Sequence, residues 1–178
     1  MERMHGFSLV EMLLTLALFT IVAGFSVLDL GRMIRVQRYH AVMKEVATHL
    51  ALARAEARVR RLPVHACAAN FKNNLDVQGC QSLAKMQAPY HWGEGVMVFY
   101  DKQGGRSDVY DSKELLTTAA IEPALNLQLT ASQPMLTFNP DGMMRHALVV
   151  LEFSARQDAW CQRLTIYKTG LSSQRGCD

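Results

Sequence analysis

The sequence lacks the short motifs that mark several enzyme classes. It has no G-x-S-x-G nucleophile elbow, no P-loop and no H-E-x-x-H helix, so the corresponding hydrolase, nucleotide and zinc-protease sites are not predicted. It also has no C-x-x-C pair, which argues against a zinc ribbon or thioredoxin-like redox chemistry. The six histidines show no ligand spacing, and Asp108 and Asp111 flank a predicted turn where solvated carboxylates are expected. We therefore expect no catalytic residues, no metal and no cofactor.

Charge is almost absent from residues 7–30, which read FSLVEMLLTLALFTIVAGFSVLDL and carry only Glu11 and Asp29. About 20 apolar residues in a helix span a bilayer, so this segment is predicted to be transmembrane. A cleaved secretory signal is the alternative. The preceding residues MERMHG are nearly neutral, the apolar run is longer than a signal core, and no A-x-A site follows it. These features favour retention of the helix.

Glu11 is an anomaly, because a carboxylate inside a bilayer costs about 2.5–3.5 kcal/mol on insertion scales. One explanation is that it lies at interface depth and reaches the headgroups. However, Gly6-Phe7-Ser8-Leu9-Val10-Glu11 and the apolar helix behind it closely resemble the class III signal of type IV prepilins and type II secretion pseudopilins. The resemblance implies that a prepilin peptidase cuts after Gly6 and that Phe7 becomes the methylated amino terminus. Glu11 would then pair with the terminal amine of a neighbouring subunit.

The helical pattern continues beyond residue 30 and ends at Pro63, which predicts an amphipathic continuation of the helix over 31–62. Its predicted buried face consists of Tyr39, Val42, Met43, Val46, Leu50, Ala53 and Ala57. After Pro63 the period changes to two, which is typical of strands. Strands are predicted at 64–67, 95–100, 125–129, 135–138, 147–153 and 164–167, with turns at 103–106 and 139–142. This pattern predicts an α+β fold, with the helix packed on an antiparallel sheet of residues 63–178.

Three later stretches are similar to the GspH/FimT group of minor pilins and pseudopilins: Ala53-Arg54-Ala55-Glu56-Ala57, Trp92 to Gly95, and Phe138 to Gly142. With the signal, they extend the resemblance over nearly the whole chain. It implies a type IV pilin-like fold with a leader at 1–6, and a structural subunit that helps to prime and assemble a type IV pilus or pseudopilus. Action in protein export as secretion pseudopilin H is the alternative. The implied partners are other pilins, the prepilin peptidase and the inner membrane.

The resemblance also implies a location: a single-pass protein of the bacterial inner membrane with its globular domain in the periplasm, found also at a fibre tip. The charges beside the predicted membrane segment favour the opposite orientation of the chain. Arg32, Arg35 and Arg38 follow it, whereas Arg3 in the leader is offset by Glu2, so a positive-inside count places the domain in the cytoplasm. We follow the resemblance, because the cysteine content agrees with export.

The four cysteines, Cys67, Cys80, Cys161 and Cys177, are expected to form disulfides if the domain is exported, and three pairings are open. The most local pairs are Cys67–Cys80 and Cys161–Cys177. Each would close a loop of about 15 residues, worth about 3 kcal/mol in the chain-entropy model. The second pair would tie the carboxyl-terminal tail to the last predicted strand.

A basic carboxyl-terminal tail raises DNA as a further partner. Some members of the FimT group bind DNA during natural transformation through a Gly-Arg-x-Arg element. This chain departs from that element, because Gly170 is followed by Leu171 rather than Arg. Arg163, Lys168 and Arg175 remain as residues that would contact DNA, and the alternative is a solvated basic tail.

Overall fold

The computed structural model describes residues 8–72, 76–82, 86–102 and 107–177, except for the side chains of residues 22–29. The predicted leader at 1–6, Phe7 and the predicted turn at 103–106 lie outside the described residues. The chain divides into two compact units, Met1–Gln37 and Arg38–Asp178. The predicted subdivision of the helix at residue 30, between a membrane segment and an amphipathic continuation, stays a prediction.

The long helix α1 (Leu9–Arg60) confirms the helical prediction. At its start, the Ser8 carbonyl accepts hydrogen bonds from the backbone N–H groups of Glu11 and Met12, at 3.1 and 3.2 Å. At its end, Arg61 adopts a left-handed φ of 55°. Pro63 follows two residues later and lacks the N–H that a further helical turn would need.

The predicted apolar face of α1 is buried in the second unit. Its fully buried members are Tyr39, Met43, Val46, Leu50, Ala53 and Ala57, and Val42 is half-buried. Leu50 lies with Phe138 of one sheet and Leu164 of the other around the same small cavity. This face of the helix therefore packs where the two sheets meet.

The described residues after α1 form ten strands, joined by loops and by short 3₁₀ turns at Pro123–Leu125 and Arg156–Asp158. The strands are β1 (Val64–Phe71), β2 (Val77–Cys80), β3 (Tyr90–His91), β4 (Gly95–Tyr100), β5 (Leu115–Ala120), β6 (Gln128–Ala131), β7 (Met135–Phe138), β8 (Leu148–Ala155), β9 (Trp160–Tyr167) and β10 (Ser172–Gly176). The first sheet has the order β2-β1-β4-β5, and β7 also pairs with β1. The second has the order β10-β9-β8-β6-β3. All pairs are antiparallel, so the predicted α+β class is confirmed. The division into two sheets was not predicted.

One predicted strand lies in a different place. Residues 125–129 were predicted to be extended, but Pro123–Leu125 form a 3₁₀ turn and Asn126 has a left-handed φ of 49°. Strand β6 consequently begins only at Gln128. The side chains of Leu125, Leu127 and Leu129 are nevertheless all buried, so the alternation identified the inward-facing positions correctly.

Candidate functional site

The first unit exposes a continuous apolar surface on α1. Its large exposed side chains are Leu9, Val10, Met12, Leu13, Leu14, Leu16, Leu18, Phe19 and Ile21. Leu9 and Phe19 are the most exposed, at 77% and 78%. A helix that is apolar on all sides is stable where lipid or other protein covers it. Within the part of the chain that is described, no helix is both long and apolar enough to cross a membrane. The predicted membrane segment 7–30 includes residues 22–29, whose side chains lie outside that description.

Glu11 is the charged residue on this surface. Its side chain is exposed in the first turn of α1, where the helix dipole favours a negative charge. Among the described residues, its carboxylate has no hydrogen-bond or ion-pair partner. Gly6 and Phe7, the predicted processing residues, lie outside the described residues. The structure therefore shows an accessible carboxylate on an apolar helix, and its predicted pairing stays a prediction.

Two of the sequence motifs meet in an arginine–turn contact, formed by Arg54 and Arg58 of α1 with the turn at Asp141 and Gly142. Arg54 Nε donates to the Gly142 carbonyl and Arg58 Nε to the Asp141 carbonyl, both at 3.2 Å. The predicted turn at 139–142 is present, because Gly142 N–H donates to the Asn139 carbonyl at 2.8 Å and Gly142 has φ of 76°. The helix-end motif and the Phe138–Gly142 motif therefore fix α1 to the segment between β7 and β8.

The third motif, Trp92 to Gly95, connects the two sheets. Trp92 is fully buried, and its backbone N–H donates to the Leu129 carbonyl in the second sheet at 2.8 Å. Gly95 begins β4 of the first sheet with φ of 128°, and a Cβ there would lie 2.1 Å from the Ala119 carbonyl oxygen. Trp160, the other tryptophan, is half-buried and packs against Tyr39 with ring centroids 5.2 Å apart. All these motif residues serve packing in the second unit.

Both local disulfides are present. Cys67–Cys80 joins β1 to β2, and Cys161–Cys177 joins β9 to the residue after β10. Cys67 is fully buried in a cluster with Ala69, Met97 and Phe99, whereas Cys161 and Cys177 are half-buried. The first disulfide belongs to the core and the second fastens the tail to the outer part of the second sheet.

The three tail cations are only partly brought together. Arg163 and Arg175 are direct cross-strand partners on β9 and β10. Arg163 also faces Glu152 on β8, and its Nε lies 2.8 Å from the carboxylate. Lys168 is exposed in the turn between β9 and β10. The two arginines thus form one patch, of which the Glu152 carboxylate neutralises part.

A buried histidine cluster was missed from the sequence. His65 of β1 is fully buried, and its Nε2 faces Asp101 at 3.9 Å and Asp108 at 3.6 Å. The expectation that Asp108 is merely solvated is corrected, because both of its oxygens accept hydrogen bonds from Arg145, at 3.1 and 3.2 Å. These hydrogen bonds hold the pKa of Asp108 below its usual value. Burial lowers the pKa of His65, although the Asp108 and Asp101 carboxylates act in the opposite direction.

The spacing of His65, Asp101 and Asp108 along the sequence gives no sign of this cluster. Strand pairing brings His65 beside Asp101, and the Asp108 backbone N–H donates to Asp101 Oδ2 at 3.3 Å. Val64 pairs with Tyr100, so the start of β1 lies beside the end of β4, where Asp101 follows. The one available signal was a histidine within an otherwise apolar strand, which is an unusual place for a polar ring.

Comparison with known proteins agrees with this architecture. A family model described as type II transport protein GspH matches residues 43–170, well over half of the chain. A second, described as a prokaryotic N-terminal methylation motif, matches residues 1–27. No curated protein sequence matches the chain at a significant level.

Solved structures with a similar fold include the type IV minor pilin FimU of Pseudomonas aeruginosa, with a TM-score of 0.52 and 16% identity, over 78% of this chain and 89% of that one. The minor pseudopilin EpsH from the type 2 secretion system of Vibrio cholerae has a TM-score of 0.47 and 10% identity, over 75% of this chain and 92% of that one. At such identities the likeness to FimU supports the fold alone.

Proposed function

Because the chain belongs to the GspH family of type II transport proteins, we propose that it is a minor pilin or pseudopilin. In this role it is a structural subunit, not an enzyme, and it helps to prime and assemble a type IV pilus or a pseudopilus at the inner membrane. The observation that carries the proposal is the exposed apolar surface from Leu9 to Ile21 with Glu11 upon it. Helices that leave lipid associate through close van der Waals packing and interhelical polar contacts, so the fit of this helix against its neighbours would favour assembly.

Processing by the prepilin peptidase belongs to the same proposal. The methylation motif over residues 1–27 supports cleavage after Gly6 and a methylated terminus at Phe7. Glu11 would then be the fifth residue of the mature chain and would meet the terminal amine of the next subunit. A carboxylate in an apolar fibre core is tolerated when a cation compensates it, and the pairing would fix the axial register of subunits.

The location follows from the same elements. The apolar segment at 7–30 would anchor the chain in the inner membrane before assembly, with the second unit in the periplasm. The two disulfides support this placement, because disulfides persist in oxidising compartments such as the periplasm. As a minor pilin, the chain is expected to lie at the tip of the fibre.

Photo-crosslinking in cells tests the assembly surface. A photoreactive phenylalanine analogue replaces Phe19, which is 78% exposed in the first unit, and in a matched strain replaces Val59, which is 80% exposed at the end of α1 in the second unit. We expect crosslinks from position 19 to other pilins or pseudopilins, and fewer from position 59. An absence of pilin crosslinks at position 19, with the protein present at normal level, would contradict the proposal.

Deletion of the gene distinguishes a role in a type IV pilus from a role in a secretion pseudopilus. If the chain is a pilus subunit, the deletion strain should lose its surface fibres and keep its secretion. If the chain is a secretion pseudopilin, the deletion strain should keep its fibres and retain export substrates inside the cell. Complementation with the wild-type chain is the control for both readouts. A deletion strain that keeps both its surface fibres and its export would contradict the proposed role.

DNA binding by the tail is a second candidate, favoured by the direct cross-strand pairing of Arg163 and Arg175. Contact with phosphates through Arg163, Lys168 and Arg175 would be independent of sequence, with a log–log salt slope of about −3 for three contacts. The test is titration of the full-length chain with labelled duplex at several salt concentrations. Absence of binding at low salt, or binding unchanged when all three residues become Ala, would remove this candidate. A Lys44→Ala variant, exposed on α1, is the control.

A further inference from the structure

The strongest feature that assembly does not use is the cluster of His65, Asp101 and Asp108. One ligand atom from each residue lies within 4.8 Å of the other two, and His65 is fully buried. Asp101 follows β4, and its backbone N–H donates to the Pro63 carbonyl at 2.9 Å. The cluster therefore lies at the end of the first sheet, next to the carboxyl-terminal end of α1.

The imidazole is held in place from its other side. His65 Nδ1 lies 3.0 Å from Thr137 Oγ1 on β7, and the ring packs on Phe99 with centroids 5.0 Å apart. His65 Nε2 is buried and has no hydrogen-bond partner among the described residues. An oxygen that holds one ring nitrogen, while the other nitrogen is directed at carboxylates, is the arrangement that orients metal-binding histidines.

Neither tautomer of His65 is satisfied by the protein alone. If Nε2 carries the proton, its nearest carboxylate oxygen is 3.6 Å away, beyond hydrogen-bond range, and the buried donor is unpaired. If Nδ1 carries the proton and donates to Thr137, the Nε2 lone pair faces two carboxylates, which is repulsive. A cation between the three groups removes both problems.

We propose that His65, Asp101 and Asp108 bind a first-row divalent cation, with Zn²⁺ preferred. An imidazole with two carboxylates suits zinc better than Mg²⁺ or Ca²⁺, which favour all-oxygen sites. Tetrahedral ligands at zinc distances lie about 3.4 Å apart, so the 3.6 and 3.9 Å from Nε2 to the two carboxylates, with no pair of ligand atoms more than 4.8 Å apart, need closing movements of about 1.4 Å or less. Asp101 and Asp108 are partly exposed, which leaves room for a water molecule as fourth ligand.

Arg145 competes with the cation, because its guanidinium holds both oxygens of Asp108. Binding of the cation would release at least one of these hydrogen bonds. The bound ion would link the start of β1, the end of β4 and the segment around Asp108. Its role would be structural, fixing the end of the second unit that lies beside the last turn of α1.

The test uses the untagged full-length chain in mild detergent, stripped of metal by a chelator. Zn²⁺ at about 100 times its dissociation constant should raise the melting temperature by about 5 °C or more. His65→Gln and Asp101→Asn should each abolish the shift, whereas His91→Gln, an exposed histidine of β3, should retain it. Melting in the absence of metal shows that the variants fold.

The Arg145→Gln variant is expected to gain affinity for zinc, and a loss of folding cannot produce such a gain. Removal of the competing guanidinium should tighten zinc binding by about tenfold or more, measured by titration calorimetry, since the cation no longer has to displace a charged hydrogen bond. Thr137→Val should weaken it by about 10–100-fold through loss of the orienting hydroxyl. A zinc affinity that His65→Gln leaves unchanged, or a larger shift with Ca²⁺ or Mg²⁺ than with Zn²⁺, would overturn the proposal.

Discussion

Glu11 is an exposed carboxylate on an apolar helical surface and has no partner among the described residues, which makes its substitution informative. Glu11→Ala should leave folding of the second unit unchanged and strongly impair assembly. Removing one partner of a buried ion pair costs about 3–5 kcal/mol, which corresponds to a loss of more than about 100-fold in an assembly equilibrium. The measurement is the amount of assembled fibre or secreted substrate relative to wild type.

Glu45→Ala is the matched control for Glu11, because Glu45 is also a helical glutamate but lies in the second unit, 3.8 Å from His49. Its replacement should leave assembly near the wild-type level. Equal assembly by the Glu11 and Glu45 variants would show that the carboxylate at position 11 has no part in subunit pairing.

Gly95 is required for a close approach between two backbones. Gly95→Ala should destabilise the second unit by about 2–4 kcal/mol, because φ of 128° is strained for alanine and the new Cβ would lie 2.1 Å from the Ala119 oxygen. Gly93→Ala is the control two residues away, since nothing lies within 4 Å of the place that its new methyl group would take. Urea unfolding measures both variants. A Gly95→Ala midpoint as high as that of Gly93→Ala would contradict this role.

Among the elements, those with a strong apolar period were predicted and those without it were missed. Helix α1 buries one apolar stripe, strand β8 buries alternate side chains, and β1, β4 and β7 are short runs of mostly buried side chains, all of which can be predicted from sequence. Strand β10 is Ser-Ser-Gln-Arg-Gly and has no apolar side chain, so its conformation depends on pairing with β9. Strand β2 likewise lies at an edge of its sheet, joined to β1 by a disulfide.

The candidate sites were likewise predicted only where the signal is local in the sequence. Glu11 and the cysteines were identified because a single residue type at one position carries the signal. The cluster of His65, Asp101 and Asp108 depends on the register of β1 against β4, and the arginine–turn contact depends on packing of α1 against the turn after β7. Such contacts between distant segments are set by tertiary packing and are not encoded in local spacing.

The two disulfides should differ in their contribution to stability. Their sequence separations of 13 and 16 residues predict similar loop-closure contributions of about 3 kcal/mol each. Cys67 is fully buried beside Met97 and Phe99, so replacing it also disturbs the core. The double variant Cys67→Ala with Cys80→Ala should therefore unfold at lower urea concentration than Cys161→Ala with Cys177→Ala. The reverse order would show that burial does not decide the difference.

For the whole molecule, the position of the amino terminus determines whether the first unit can act in assembly. If cleavage follows Gly6, Phe7 supplies a terminal amine, and methylation of that amine keeps its positive charge. Glu11 is then four residues from a cation of its own chain and available to that of the next subunit. An uncleaved chain would instead place Met1 to Gly6, including Arg3 and Glu2, where the amine is required.

Intact-mass spectrometry of the protein from its native membrane tests this processing. We expect a chain that begins at Phe7 and carries one added methyl group, with two disulfides in the second unit. A Gly6→Val variant should keep the leader, because a branched side chain would replace the glycine at the cleaved bond, and should fail to assemble while retaining the wild-type unfolding midpoint. A native chain that begins at Met1 would contradict the proposed function, because its leader would be uncleaved. A chain that is cut beyond Leu30 would also contradict it, because the apolar surface and Glu11 would be lost.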